Sequence, residues 1–213
     1  EGLIMTAGGF NGKMFISSAE SYLPAAQKWR EEPSMKVARG HSASCMFKGK
    51  MWVLGGWNPY ESTGAETMDS RALQSIEIFD TMRNIWINGP DMISRRAFHK
   101  SVALNGNIFV LGGFDGHKDL DLVDRLDIEK ELWVRGSSFR TPRSALSAGV
   151  IRNRIFILGG QNGLDTFCTV ESMDPREGKW QQEPDMLYHR ANGAGLALVG
   201  DSLYALGGFD GAA

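Results

Sequence analysis

Ile155-Phe156-Ile157-Leu158-Gly159-Gly160 is a short apolar run closed by a pair of glycines, and its recurrence decides the fold. The same construction stands at Leu3 to Gly9, Met51 to Gly56, Ile108 to Gly113 and Leu203 to Gly208. The pairs begin at Gly8, Gly55, Gly112, Gly159 and Gly207, at spacings of 47, 57, 47 and 48 residues. A fixed period of this length marks a repeat architecture, in which each unit is one supersecondary element that buries its apolar faces against its neighbours.

Other residues keep the same beat. A tryptophan recurs at Trp29, Trp86, Trp133 and Trp180. Between each glycine pair and its tryptophan lies a small or apolar residue followed by an acid: Ala19-Glu20, Ile76-Glu77, Val123-Asp124 and Val170-Glu171. After each tryptophan a turn leads to a large apolar residue, Met35, Met92, Phe139 or Met186, and an arginine then opens the next unit: Arg39, Arg96, Arg143 and Arg190. Each unit reads as four short strands parted by turn residues. The first is rich in small residues (Ser42 to Cys45, Ser144 to Gly149, Gly193 to Gly195), the second is the apolar run, the third follows the acid, and the fourth carries the tryptophan. Lys48-Gly49 and Asn105-Gly106 join first to second strands with hairpin chemistry, and no stretch shows sustained helical periodicity.

Small residues suit the first strand, because blades around an axis taper inward and leave least room there. Paired glycines allow a sharp turn close to a neighbour. A tryptophan can fill the wedge between blades, burying on the order of 200 Å².

These residues resemble the Kelch repeat, whose period is about 50 residues, and the resemblance extends over the whole chain. It implies an all-β Kelch propeller of four-stranded antiparallel blades. The start at a second strand and the long loop from Trp57 to Leu73 resemble the first two blades of BTB-Kelch propellers, which usually have six. The chain is expected to be a single propeller domain over 1–213, with units of roughly 1–35, 36–92, 93–139, 140–186 and a partial 187–213. Seventeen strands are expected: three, then four in each of three units, then two. Blade one has its own second strand, so the first and second strands from Ala191 to Gly208 imply a fifth blade cut short, giving about four and a quarter blades. The alternative is a four-bladed ring in which Asn192 to Leu198 pairs beside Leu3 to Ala7. An open ring is expected to self-associate through its unpaired strands.

Composition narrows the partners. With 23 basic and 25 acidic residues the net charge is −2, too small a field to point to nucleic acid or an anionic membrane. Cys45 and Cys168 are isolated, small apolar residues by context and no disulfide framework. Sparse cysteine fits a reducing compartment, and the expected location is cytoplasmic.

No catalytic constellation is visible, and the expectation is a binding protein with no enzymatic activity and no cofactor. His41, His99, His117 and His189 occupy different repeat positions, so they are not placed to converge on a metal. Some Kelch propellers resemble copper oxidases, but the Tyr-Cys pair and paired histidines that those need are not matched by Cys45 and Cys168. Gly-Gly-Phe-Asp-Gly at 112–116 and 207–211 lacks the following helix of a phosphate loop and reads as a turn. Glu77, Asp124 and Glu171 recur at a structural position and read as ladder-edge or inter-blade partners.

Positions that vary between repeats carry the functional reading, since scaffold positions must recur while binding positions are free to differ. After the glycine pairs come Phe10, Trp57, Phe114, Gln161 and Phe209, with Asn11 and Asn58 beside the first two. The resemblance implies that these line the substrate face, together with residues just after each arginine: His41, Phe98, Ser144 and Asn192. Exposed aromatics are costly unless they contact something; the bland reading is that they pack on adjacent loops. Of the serines common there in some relatives only Ser144 remains, which implies an apolar rather than acidic peptide. Arg39, Arg96, Arg143 and Arg190 admit two readings: bonds to the backbone of the neighbouring blade, or a basic rim that attracts acidic peptides. The family implies a substrate-recognition propeller of a cullin-type ubiquitin ligase adaptor, reaching the cullin through BTB and BACK regions outside this chain. The alternative is an actin-binding Kelch scaffold.

Overall fold

The computed structural model describes residues 2–59 and 71–212. Their regular structure is β-strand throughout. Most of the long loop expected after Trp57 lies at 60–70, outside the described residues. The chain groups into two compact units, Glu1–Ala97 and Phe98–Ala213.

In the first unit, β1 (Ile4–Ala7), β2 (Ala19–Leu23) and β3 (Lys28–Glu32) form a three-stranded antiparallel meander. β4 (Ala43–Phe47), β5 (Lys50–Leu54), β6 (Ile76–Asp80) and β7 (Ile85–Asn88) form a four-stranded one. In the second unit, β8 (Lys100–Leu104), β9 (Asn107–Leu111), β10 (Val123–Asp127) and β11 (Leu132–Arg135) repeat it. β12 (Ser147–Ile151), β13 (Arg154–Leu158), β16 (Val170–Asp174) and β17 (Lys179–Glu183) repeat it again. A two-residue ladder, β14 (Gln161–Asn162) with β15 (Asp165–Thr166), sits in its loop. β18 (Gly195–Val199) and β19 (Ser202–Leu206) form a two-stranded sheet. The expected progression of three, four, four, four and two strands is present among the described residues; the extra ladder was not foreseen.

The first strands begin later than the small-residue stretches that mark them. Ser144-Ala145-Leu146 precede β12, and Ala145 is left-handed at φ 52°. The same corner recurs at His41, Phe98 and Asn192, with φ of 51°, 54° and 39°. In each unit the chain bends two residues after the arginine and only then enters the sheet. The hairpin signals hold: Lys48-Gly49 and Asn105-Gly106 both take the two positive φ values of a type I′ turn.

In the four-stranded sheets the second and third strands β5, β6 and β9 are buried on both faces, which explains their continuous apolar runs. In the first unit Met35, Met51, Val53 and Phe79 pack with Met5, Ala7 and Trp86. In the second, Val102, Phe109, Phe139, Ile157 and Met173 belong to a cluster that includes Trp180. Trp86 and Trp180 are wedges with a polar anchor: Trp86 Nε1 donates to the Pro33 carbonyl at 2.6 Å and Trp180 Nε1 to that of Ser137 at 2.9 Å. Trp29 is exposed.

The glycine pairs explain themselves at one position. Gly159 has φ +60°, and a Cβ there would stand 2.1 Å from the Arg190 carbonyl oxygen. That approach lets the next amide, Gly160 N–H, donate to the same oxygen at 2.8 Å. Gly9 with Arg39, Gly56 with Arg96, and Gly113 with Arg143 repeat the bond at 2.8 to 2.9 Å.

Candidate functional site

The arginines point inward. Arg39, Arg96 and Arg143 are 0%, 0% and 1% exposed, among the largest fully buried side chains. Arg39 Nη1 donates to the Gly55 and Ser75 carbonyls at 2.8 and 2.9 Å, and Nη2 to Glu77 Oε1 at 2.9 Å. Glu77 also accepts the Lys36 and Val37 amides. Arg143 repeats the pattern: Nη1 reaches the Gly159 carbonyl and Thr169 Oγ1, and Nη2 reaches Glu171 at 3.0 Å. Its guanidinium also lies over the Phe167 ring, 4.9 Å from the centroid. Burial lowers the pKa of Arg143, opposed by the charges of Glu171 and Asp185.

The basic-rim reading is therefore corrected at Arg39, Arg96 and Arg143. A buried guanidinium must place its donors on groups inside the protein, and Arg39 and Arg143 place their Nη donors on the neighbouring blade. Arg190 is half-buried and donates to the Gly207 carbonyl. Glu77, Asp124 and Glu171 are all buried; Glu77 and Glu171 accept from the arginine of the preceding blade, and Asp124 accepts from Arg135 Nε at 3.0 Å in its own sheet.

The residues after the arginines and after the glycine pairs meet for a backbone reason. Gly40 and Trp57 exchange both amide bonds at 3.1 and 2.7 Å, Ser144 and Gln161 at 2.9 Å each, and Ala191 and Phe209 at 2.8 Å each. Each pair closes a one-rung antiparallel bridge beyond the sheet. The left-handed residue then follows, so His41 and Asn192 stand exposed and Phe98 half-exposed.

In the first unit Phe10 is 57% exposed and packs on Phe15 with ring centroids 5.3 Å apart; Phe15 in turn stands edge-on to His41 at 6.1 Å. Partial enclosure holds His41 below its usual pKa. Phe15 was not foreseen. A side chain at Gly40 would collide with its ring at 2.5 Å, so the bare glycine makes room for it. Asn11 Oδ1 accepts the Lys13 and Met14 amides and shapes its own turn. Asn58, expected at the surface, is buried and donates to the Ala38 carbonyl at 2.8 Å; its amide anchors the loop.

In the second unit Phe98, Phe114, Asp119, Ser144, Gln161 and Asn192 line one depression of about 320 Å³. Five of these were expected from sequence. Ser144 is buried at its floor, 5% exposed. Asn192 Nδ2 donates to Gln161 Oε1 at 2.6 Å, and Ala145 N–H donates to the Phe98 carbonyl at 2.8 Å, tying neighbouring blades together around it. Asp119 was missed. It is bridged to Phe114 across a tight turn, and its Oδ2 accepts the Gly163 amide at 2.9 Å. Phe209, 44% exposed, stands on the last loop. Among the described residues no three His, Cys, Asp or Glu side chains gather as a metal site.

Comparison with known proteins places this geometry. The family model described as the Kelch motif matches four times, at residues 1–36, 38–93, 95–140 and 142–187. Kelch-like protein 35 of Mus musculus is 32% identical over 126 residues, 58% of this chain and 20% of that protein. Beta-scruin of Limulus polyphemus is 30% identical over 97 residues, 46% of this chain and 10% of that protein. An F-box/kelch-repeat protein of Arabidopsis thaliana is 34% identical over 110 residues, 49% of this chain and 26% of that protein. The matches thus span between about a tenth and a quarter of these relatives' own lengths. The solved structure of YjhT superposes with a TM-score of 0.81, covering 98% of this chain and 74% of that one; at 14% identity it shows the fold alone.

Proposed function

The chain belongs to the Kelch-repeat family, a family of protein-interaction propellers, and on that premise we propose that the loops after its glycine pairs receive a peptide or exposed loop of a partner protein. The proposed role is substrate recognition for a cullin-type ubiquitin ligase adaptor in the cytoplasm, without catalysis by this chain. The similarity to a Kelch-like protein and to an F-box/kelch-repeat protein supports that role.

One observation carries the reading. The recurrent charged residues Arg39, Arg96, Arg143, Glu77, Asp124 and Glu171 are buried, while the residues that follow the glycine pairs and the arginines, Phe10, His41, Phe98, Phe114, Asn192 and Phe209, occupy bridged loops with solvent-accessible side chains. A scaffold that repeats inside and varies on one set of loops is built to hold different side chains out to a partner.

Affinity capture from lysate tests this. The Trp57→Ala/Phe114→Ala double variant is expected to remain folded by circular dichroism and to lose captured partners at least tenfold. Retention of the same partners by the folded double variant removes these loops from the site. Recovery of a cullin among the captured proteins, with no co-sedimentation of the chain with actin filaments, separates the adaptor role from a cytoskeletal one.

A further inference from the structure

Resting on that reading, we propose that the depression of the second unit takes a basic side chain of the partner, an arginine flanked by apolar residues. With the arginines below it turned inward, the charge presented by this surface is opposite in sign to a basic rim. Among the described residues that line the depression, Asp119 is the only one of acidic or basic type. Its orientation is set, because Oδ2 accepts the Gly163 amide at 2.9 Å. Arg143, under the same loops, is neutralised by Glu171 at 3.0 Å and is 1% exposed, so it offers an incoming anion nothing.

The walls match a guanidinium. Phe98 and Phe114 supply two aromatic rings, and a planar cation is attracted to such faces. Gln161 Oε1 is held by Asn192 Nδ2, which presents an amide oxygen as a neutral acceptor beside the carboxylate. A volume of about 320 Å³ lies at the low end of ligand clefts, which run from roughly 300 to 1,000 Å³, and suits one long side chain rather than a folded element. An acidic side chain placed there would meet Asp119 and lose its hydration, with no cationic side chain among the described lining residues to replace it.

The test is a titration of the 15N-labelled chain with N-acetyl-arginine methylamide, N-acetyl-norleucine methylamide and N-acetyl-glutamate methylamide, followed by amide chemical shifts. The arginine probe is expected to shift Gly163, Gln161 and Asn192 saturably, at least fivefold more tightly than norleucine, and glutamate is expected to leave them in place. Asp119→Asn, which keeps an acceptor for Gly163, is expected to weaken the arginine probe at least fivefold. Phe98→Asn, which tolerates the left-handed backbone there, is expected to weaken it severalfold. Unchanged arginine binding in Asp119→Asn, equal binding of the glutamate or norleucine probe, or no response of these amides to arginine overturns the proposal. Trp57 does not line the depression, so loss of partner capture in Trp57→Ala alone, with no arginine response, overturns this assignment and leaves the broader function standing.

Discussion

The Arg143 guanidinium stands 3.0 Å from the Glu171 carboxylate with both side chains almost wholly buried, and the pair joins the exit of one blade to the third strand of the next. Removing one member leaves the other as an uncompensated buried charge. Arg143→Leu is therefore expected to cost about 3–5 kcal/mol in urea unfolding. Arg143→Leu/Glu171→Gln, which removes both charges, is expected to cost less than the single variant. A double variant as unstable as the sum of its parts refutes the clamp.

Two glycines of one loop separate backbone strain from crowding. Gly159 and Gly163 share φ near +60°, but a Cβ at Gly159 would lie 2.1 Å from a backbone oxygen while one at Gly163 meets nothing within 4 Å. Gly163→Ala is expected to cost roughly 1–2 kcal/mol, the penalty of a left-handed L residue. Gly159→Ala is expected to cost clearly more, seen as a larger fall in melting temperature. Equal falls would mean that the inter-blade approach of Gly159 to Arg190 is loose.

Asp174 gives a pH signature. Arg176 side-chain bonds, Nε to Oδ1 at 3.0 Å and Nη2 to Oδ2 at 2.6 Å, together with its backbone amide, lower the carboxyl from 3.8 to about 2. Because the folded value lies below the unfolded one, this contribution is fully present above pH 3.8 and is lost as pH falls toward 2. Carboxyl NMR is expected to show a midpoint at about 2 in the native chain and a rise toward 3.8 in Arg176→Ala. A midpoint that ignores the substitution contradicts the assignment.

The β18–β19 sheet leaves Leu198, Val199, Tyr204 and Leu206 between 50% and 61% exposed. Two short strands with that much apolar surface form a sticky edge. Light scattering behind size exclusion is expected to show concentration-dependent association, reduced by Leu198→Lys/Leu206→Lys. Monodisperse monomer at all concentrations would show that this surface does not drive association.

The repeat was legible because each of its marks answers a steric demand of the scaffold. Gly159 has no room for a side chain, Trp180 fills a wedge, and Asn105-Gly106 matches a type I′ turn. Side-chain direction was not legible, because spacing along the chain says where an arginine recurs but not which way it points; burial of Arg39, Arg96 and Arg143 overturned the rim. The corner two residues after each arginine was hidden for a related reason. Phe98 and Ala145 are not residues that advertise positive φ, whereas His41 and Asn192 are of the enriched types, so no single residue type marks the corner. Phe15 and Asp119 were missed because each enters the loop surface through a bridge, Phe10 to Phe15 and Phe114 to Asp119. Such a pairing follows from turn length, which a search for recurring residues does not weigh.

The central claim is that a partner sits on the variable loops and not on the outer strands. Hydrogen–deuterium exchange of the chain with and without a captured partner peptide tests it most directly. Protection is expected at 10–15, 40–41, 114–119 and 161–166, with no change along β7, β11 and β17. Protection confined to those outer strands, with the loops unaltered, would contradict it.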